Sequence, residues 1–84
     1  MAKVTVYWPE VTNIFVLQLE DLERKTREEL MGRIEDYLNK SPEKMGEVRE
    51  VSLEGIEMLK VACRIRNAPE IKEAIEKIKD SLEL

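Results

Sequence analysis

The chain has 84 residues, too few for more than one hydrophobic core, so we expect a single domain over residues 1–84. Its 14 lysines and arginines and 18 aspartates and glutamates give a net charge of -4, and this acidic balance disfavours tight non-specific binding to nucleic acid. Histidine is absent and Cys63 is the only cysteine. This excludes imidazole catalysis, an internal disulfide and a metal site built from the imidazoles or thiolates of one chain.

The composition is typical of a folded protein from a thermophile. Charged residues make up 38% of the chain and hydrophobic residues 43%, while Gln18 is the only glutamine. Idealised designed proteins share this pattern, so a designed scaffold without biological function is an alternative, although Cys63 and the Trp8-Pro9 step are atypical of designs. The longest apolar run has four residues, and the N-terminal residues lack the apolar segment of a signal peptide. We therefore expect a cytoplasmic protein that does not enter a membrane.

The first part of the chain predicts two strands. Alternation over residues 3–8 predicts the first strand, residues 10–13 predict a turn, and residues 14–19 predict the second strand. The second strand is apolar on both faces, since Ile14 and Val16 alternate with larger apolar residues. Such a strand is typically central in a sheet and covered on both sides.

A helix and a hairpin follow. Apolar residues at helical spacing predict a helix that Asp21 caps and that ends near Asn39. Residues 47–53 and 56–66 predict two further strands, and Glu54-Gly55 between them is typical of a tight hairpin turn.

The last segment predicts a second helix that Asn67 caps and that buries Ile71 and Ile75. The order ββαββα favours an α+β fold, a two-layer sandwich in which a four-stranded, mainly antiparallel sheet carries two helices on one face. The alternative is a ferredoxin-like βαββα arrangement with residues 3–19 as one bent strand. Pro9 and Asn13 favour a break in that segment over a bent strand.

The sequence contains no pattern that predicts an enzyme. The three glycines are isolated from one another, and no spacing matches a zinc site, a calcium site or a nucleophile with its base. Cys63 shares the parity of Val61 on the inward face of its strand, where a cysteine behaves as a small, inert apolar side chain. We expect a protein without catalytic residues, cofactor or metal.

An interaction module is the function that the pattern favours. If the helices cover one face of the sheet, Ile14 and Val16 lie on the other face, where apolar side chains need a second surface. Tyr7 and Trp8 are further candidates for a protein contact because aromatic side chains concentrate binding energy at interfaces, and the protomer's own core is an equal alternative for Trp8. We expect a non-enzymatic module that acts as a homodimer or as a subunit of a larger assembly.

The alternative function is single-stranded nucleic-acid binding. Basic side chains spaced along the outward face of the last strand, with others from neighbouring strands and Tyr7 of the same parity, can hold phosphates while an aromatic ring stacks on a base. Pairing with glutamates on an exposed sheet face explains the same pattern, and the acidic total charge favours that explanation. The basic candidates are Lys3, Arg49, Lys60, Arg64 and Arg66.

Overall fold

The structure is a computed structural model that describes residues 1–9, 12–40 and 43–84. The predicted order ββαββα is confirmed, and part of the turn predicted over residues 10–13 lies outside the described residues. The elements are β1 (Lys3–Tyr7), β2 (Ile14–Glu20), α1 (Arg24–Leu38), β3 (Gly46–Leu53), β4 (Ile56–Cys63) and α2 (Ala68–Ser81), with a 3₁₀ turn at Ile65–Asn67.

The four strands form one antiparallel sheet in the order β1-β2-β4-β3. β2 is central, as its two apolar faces predicted. β1 and β2 are separate neighbours with Tyr7 opposite Val16, so the ferredoxin-like alternative is wrong. The backbone N–H of Thr12 donates a hydrogen bond to the carbonyl oxygen of Pro9 at 3.1 Å, and β2 lies antiparallel beside β1.

The hydrophobic core lies between one face of the sheet and the two helices. Alternate strand residues point into it, and each helix contributes an apolar stripe. The buried core side chains are Val4, Phe15, Leu17, Leu19, Leu30, Ile34, Leu38, Val48, Leu59, Val61, Cys63, Ala68, Ile71 and Ile75.

The hairpin between β3 and β4 turns at the two predicted residues. Glu54 and Gly55 both have positive φ, 52° and 82°, as a type I′ hairpin turn requires at its two central residues. Leu53 lies directly opposite Ile56, so the pairing of β3 with β4 begins at the two residues that flank the turn. This turn sets the register of the whole β3–β4 pair.

One predicted helix cap is wrong, and the other lies at the predicted position. Asp21 has a φ of 55° and belongs to the reversal after β2; its carboxylate lies 3.3 Å from the N-terminal ammonium, and α1 begins only at Arg24. Asn67 directly precedes α2 at the capping position, as predicted, although it also ends the 3₁₀ turn and its side chain makes no capping hydrogen bond. At Asp21 the chain reverses before the helix starts, so this residue lies three positions before Arg24 and outside the capping position.

β4 is shorter than predicted and ends at Cys63 instead of residue 66. Its ladder partners stop at Ala62 on the β2 side and at Cys63 on the β3 side, so a longer strand has nothing to pair with. The following turn carries the chain off the sheet toward α2 and leaves Ile65 69% exposed.

One cation joins the helix layer to the sheet at the hairpin end. Arg27 of α1 forms an ion pair with Glu57 of β4, and its Nε lies 3.6 Å from Glu50 Oε2 of β3. The hydrogen bond to Glu57 is the main cause that raises the pKa of Arg27 above its ordinary value. The core is therefore closed at this end by an ion-pair cluster.

Candidate interaction surface

The two helices leave the other face of the sheet without a covering layer. This face, called the open face below, carries alternate residues of all four strands. Tyr7, Leu53 and Ile56 on it are 49%, 62% and 48% exposed. Its members are Lys3, Thr5, Tyr7, Ile14, Val16, Gln18, Glu20, Glu47, Arg49, Val51, Leu53, Ile56, Met58, Lys60 and Ala62.

The strand register arranges the open face in four rows that cross the sheet. The rows begin at the end where β3 turns into β4, and each is given in the order β1, β2, β4, β3. They are Lys3, Glu20, Ile56 and Leu53; Thr5, Gln18, Met58 and Val51; Tyr7, Val16, Lys60 and Arg49; and, on the last three strands, Ile14, Ala62 and Glu47.

These rows divide the open face into two apolar patches and two charged corners, which alternate around its centre. Each patch lies diagonally across from the other patch, and each corner lies diagonally across from the other corner. The Val16 patch comprises Tyr7, Ile14 and Val16, and the Met58 patch comprises Val51, Leu53, Ile56 and Met58. The Glu20 corner comprises Lys3, Thr5, Gln18 and Glu20, and the Arg49 corner comprises Glu47, Arg49 and Lys60.

Three of the four residues predicted for a partner interface lie together in the Val16 patch. Ile14 and Val16 are half-buried and outside the protomer's own core, while Tyr7 beside them is half-exposed and donates a hydrogen bond to Gln18 Oε1 at 3.5 Å. Trp8 lies elsewhere, because it follows Tyr7 by one residue and therefore points to the opposite face. Its ring packs on Phe15 with 5.3 Å between ring centroids.

The Trp8 side chain belongs to the core layer by its contacts. Its indole Nε1 is buried and has no hydrogen-bond partner among the described residues. The ring is tilted 33° to that of Phe15, an arrangement that aromatic pairs favour. Trp8 therefore does not contribute to the open face.

The structure brings together only two of the five predicted basic residues. Arg49 and Lys60 are direct cross-strand neighbours, whereas Lys3 lies in the diagonal corner, opposite Glu20. The other two are beyond the end of β4: Arg64 Nη1 lies 3.8 Å from Glu43 Oε2, and Arg66 is in the 3₁₀ turn. The open face is thus a surface of mixed charge.

The Arg49 corner contains both signs of charge. Arg49 Nη2 lies 3.9 Å from Glu47 Oε2, and both side chains are exposed. A groove of about 330 Å³ runs beside them, lined by Ile14, Glu47, Arg49, Val51, Lys60 and Ala62. The groove reaches one residue of each apolar patch, Ile14 and Val51, so the open face has a depression at the Arg49 corner.

The Met58 patch is a part of the surface that sequence reasoning missed. The parity that places Lys60 and Ala62 outward also places Met58 and Ile56 outward, two and four residues before Lys60. The signal was therefore present in the alternation of β4. Only the strand register shows that these residues form a patch, because it places Val51 and Leu53 of β3 beside Met58 and Ile56.

Outside the open face, burial raises the pKa of one thiol and of one phenol. Burial raises the pKa of the Cys63 thiol, which donates a hydrogen bond to the carbonyl oxygen of Asn13 at 3.5 Å. In the groove between the helices, Tyr37 donates a hydrogen bond to Glu70 Oε1 at 3.0 Å, and burial raises the pKa of this phenol. Within residues 1–9, 12–40 and 43–84, no group of three or more acidic or cysteine side chains is arranged to hold a metal ion.

The comparisons with known proteins identify no function for this chain. No protein-family model matches the chain, and no curated protein or solved structure matches it either. In the part of the chain that the structure describes, no helix combines the length and apolar character needed to cross a membrane.

Proposed function

We propose that this protein is a non-enzymatic interaction module that buries its open face against a folded protein, either a second copy of the chain or another subunit of an assembly. The observation that supports the proposal is the presence of apolar side chains on the open face of all four strands. Contiguous apolar surface of this kind is uncommon on monomers and typical of protein contacts.

The distribution of charge favours a protein partner over a nucleic acid. A polyanion needs a continuous basic surface, whereas the open face carries Glu20 and Glu47 as well as its three cations. Each charged corner holds both signs and adjoins an apolar patch. This alternation is typical of a protein–protein interface, where apolar contact supplies affinity and charge supplies orientation.

The proposal is tested by one substitution in the Val16 patch. Val16→Lys places a charge among the apolar side chains of the open face without entering the core, so the protomer should fold normally and lose association. Ile65→Lys is the matched control, because Ile65 is equally apolar and 69% exposed but lies off the open face. Circular dichroism reports folding, and sedimentation equilibrium over a wide concentration range reports association.

We expect the wild-type mass to rise with concentration, the Ile65→Lys mass to rise in the same way, and the Val16→Lys mass to remain that of a monomer. A wild-type chain that stays monomeric at every concentration, and that retains no protein from an extract of its source that the Val16→Lys chain fails to retain, contradicts the proposal.

A further inference from the structure

We infer that the open face pairs with the open face of a second copy, with the strands of the two sheets crossing at nearly a right angle. This inference rests on the proposed function and identifies its partner. It follows from the diagonal arrangement of the two apolar patches and two charged corners, because a symmetric dimer must place each part of the surface on a part that complements it.

A twofold axis that lies in the interface parallel to the strands does not satisfy this condition. It places the Glu20 corner over the partner's Met58 patch, and the Val16 patch over the partner's Arg49 corner. An axis perpendicular to the strands places the Glu20 corner over the partner's Val16 patch. Both arrangements bury charged side chains against apolar ones, which is costly.

Two diagonal axes remain, and both bring apolar patches into contact with apolar patches. The axis that joins the two charged corners places each corner over its own copy, so that Lys60 meets the partner's Lys60. The axis that joins the two apolar patches exchanges the corners instead. Like charges in contact oppose association, so the second axis is favoured.

On the favoured axis the opposite charges meet in pairs. Lys3 lies over the partner's Glu47, and Glu20 lies over the partner's Arg49, each twice by symmetry. Val16 and Met58 lie close to the axis, so each packs against its own copy. Because this axis runs diagonally to the strands, the strands of the two copies cross at about 90°. This is the orthogonal arrangement that packed sheets are known to adopt.

The area of the sheet sets the expected strength of the dimer. Strands lie about 4.8 Å apart and rise about 3.4 Å per residue, so four strands of about seven residues cover roughly 450 Å². Two such faces remove about 900 Å² from solvent, near the lower limit for a specific complex. We therefore expect a weak dimer that forms at high protein concentration and is sensitive to its charged pairs.

The test mixes two single variants. Glu20→Arg alone and Arg49→Glu alone each create two like-charge pairs in the crossed dimer, so each should dimerise at least about tenfold more weakly than wild type. When the two variants are mixed, both pairs become opposite in sign and a heterodimer should form at the wild-type concentration. Circular dichroism verifies that each variant is folded.

Glu73→Arg and Lys77→Glu, which lie on the exposed side of α2, repeat the same charge changes away from the open face. They control for the effect of net charge, and their mixture should behave as wild type does. Should either open-face variant misfold, Lys3→Glu and Glu47→Lys provide a second exchange of the same design.

Single variants that dimerise as wild type does, or a mixture that stays monomeric, overturn the crossed arrangement. If association is then still lost in Val16→Lys, the open face is an interaction surface with another geometry, and the proposed function stands. A wild-type chain that never self-associates overturns pairing with a second copy.

Discussion

The two faces of the sheet are both rich in apolar side chains, yet only one of them forms a core. On β2, Leu17 is fully buried beneath the helices, while its neighbour Val16 is only half-buried on the open face. The two residues differ in surroundings far more than in chemistry. The difference shows that an apolar strand position stabilises the protomer only where the chain itself provides the opposing layer.

Charged side chains also occupy different positions on the two faces. Beneath the helices it occurs at the margin, where Arg27 lies between Glu50 and Glu57. On the open face, charged side chains reach the centre, and Arg49 and Lys60 lie directly opposite each other although their charges repel. Within the protomer, Glu47 lies 3.9 Å from Arg49 and provides the opposite charge beside this pair of cations.

The largest expected effect comes from removing a side chain of the covered face. Leu17→Ala should lower the free energy of unfolding by about 3–5 kcal/mol, because it leaves a cavity in a packed core. Val16→Ala, one residue away on the open face, should lower it by about 1 kcal/mol or less. Urea denaturation of dilute protein measures both values. Equal losses of unfolding free energy in the two variants would contradict the difference between the covered face and the open face.

A smaller effect is expected where the sheet backbone is closely packed. A Cβ on Gly46 overlaps the backbone carbonyl oxygen of Ala62, so Gly46→Ala should lower the free energy of unfolding by about 1–3 kcal/mol. Gly32 of α1 has open space at the same point, and Gly32→Ala should raise it by about 0.5–1 kcal/mol. Thermal denaturation followed by circular dichroism measures both changes. Shifts of the same sign would contradict this account of the packing.

The smallest expected effect is a pH dependence from the covered face. Burial raises the pKa of Cys63 above its ordinary value of 9.0, so the unfolded chain releases this proton at a lower pH than the folded chain does. Its contribution to stability is complete below pH 9 and is lost as the pH rises through the folded pKa. Urea denaturation between pH 8 and 10.5 should show this decline.

Cys63→Ala removes the thiol and should flatten the first part of that decline. Tyr37, whose pKa is raised from 10.0, contributes in the same direction at higher pH and should account for the remainder. A decline that is unchanged in Cys63→Ala would show that the thiol is accessible to water in the folded protein.

The sequence was sufficient to predict most of the fold because its periodicity is clear. Strand alternation gave the two faces of β2, and Glu54-Gly55 gave the hairpin. The start of α1 was mispredicted because Asp21 is a good capping residue by composition, while the reversal that precedes this helix depends on how the chain leaves the sheet. The end of β4 likewise depends on where its neighbours end.

The candidate surface was only partly predictable. Tyr7, Ile14 and Val16 follow from the parity of two strands, but the diagonal pattern of patches and corners depends on which strands are neighbours. Arg64 and Arg66 show where prediction from sequence fails. The predicted strand ran three residues beyond the end of β4 and therefore placed both arginines on the open face, to which neither belongs.

The sequence by itself determined the element order, the inward side chains and the presence of a second apolar face, since each of these depends on local periodicity and on the turn residues. Only the tertiary structure decided the strand order, the register and hence the alternation of apolar patches and charged corners. Contacts between residues distant in the chain depend on how several elements pack at once, and no local pattern carries that information.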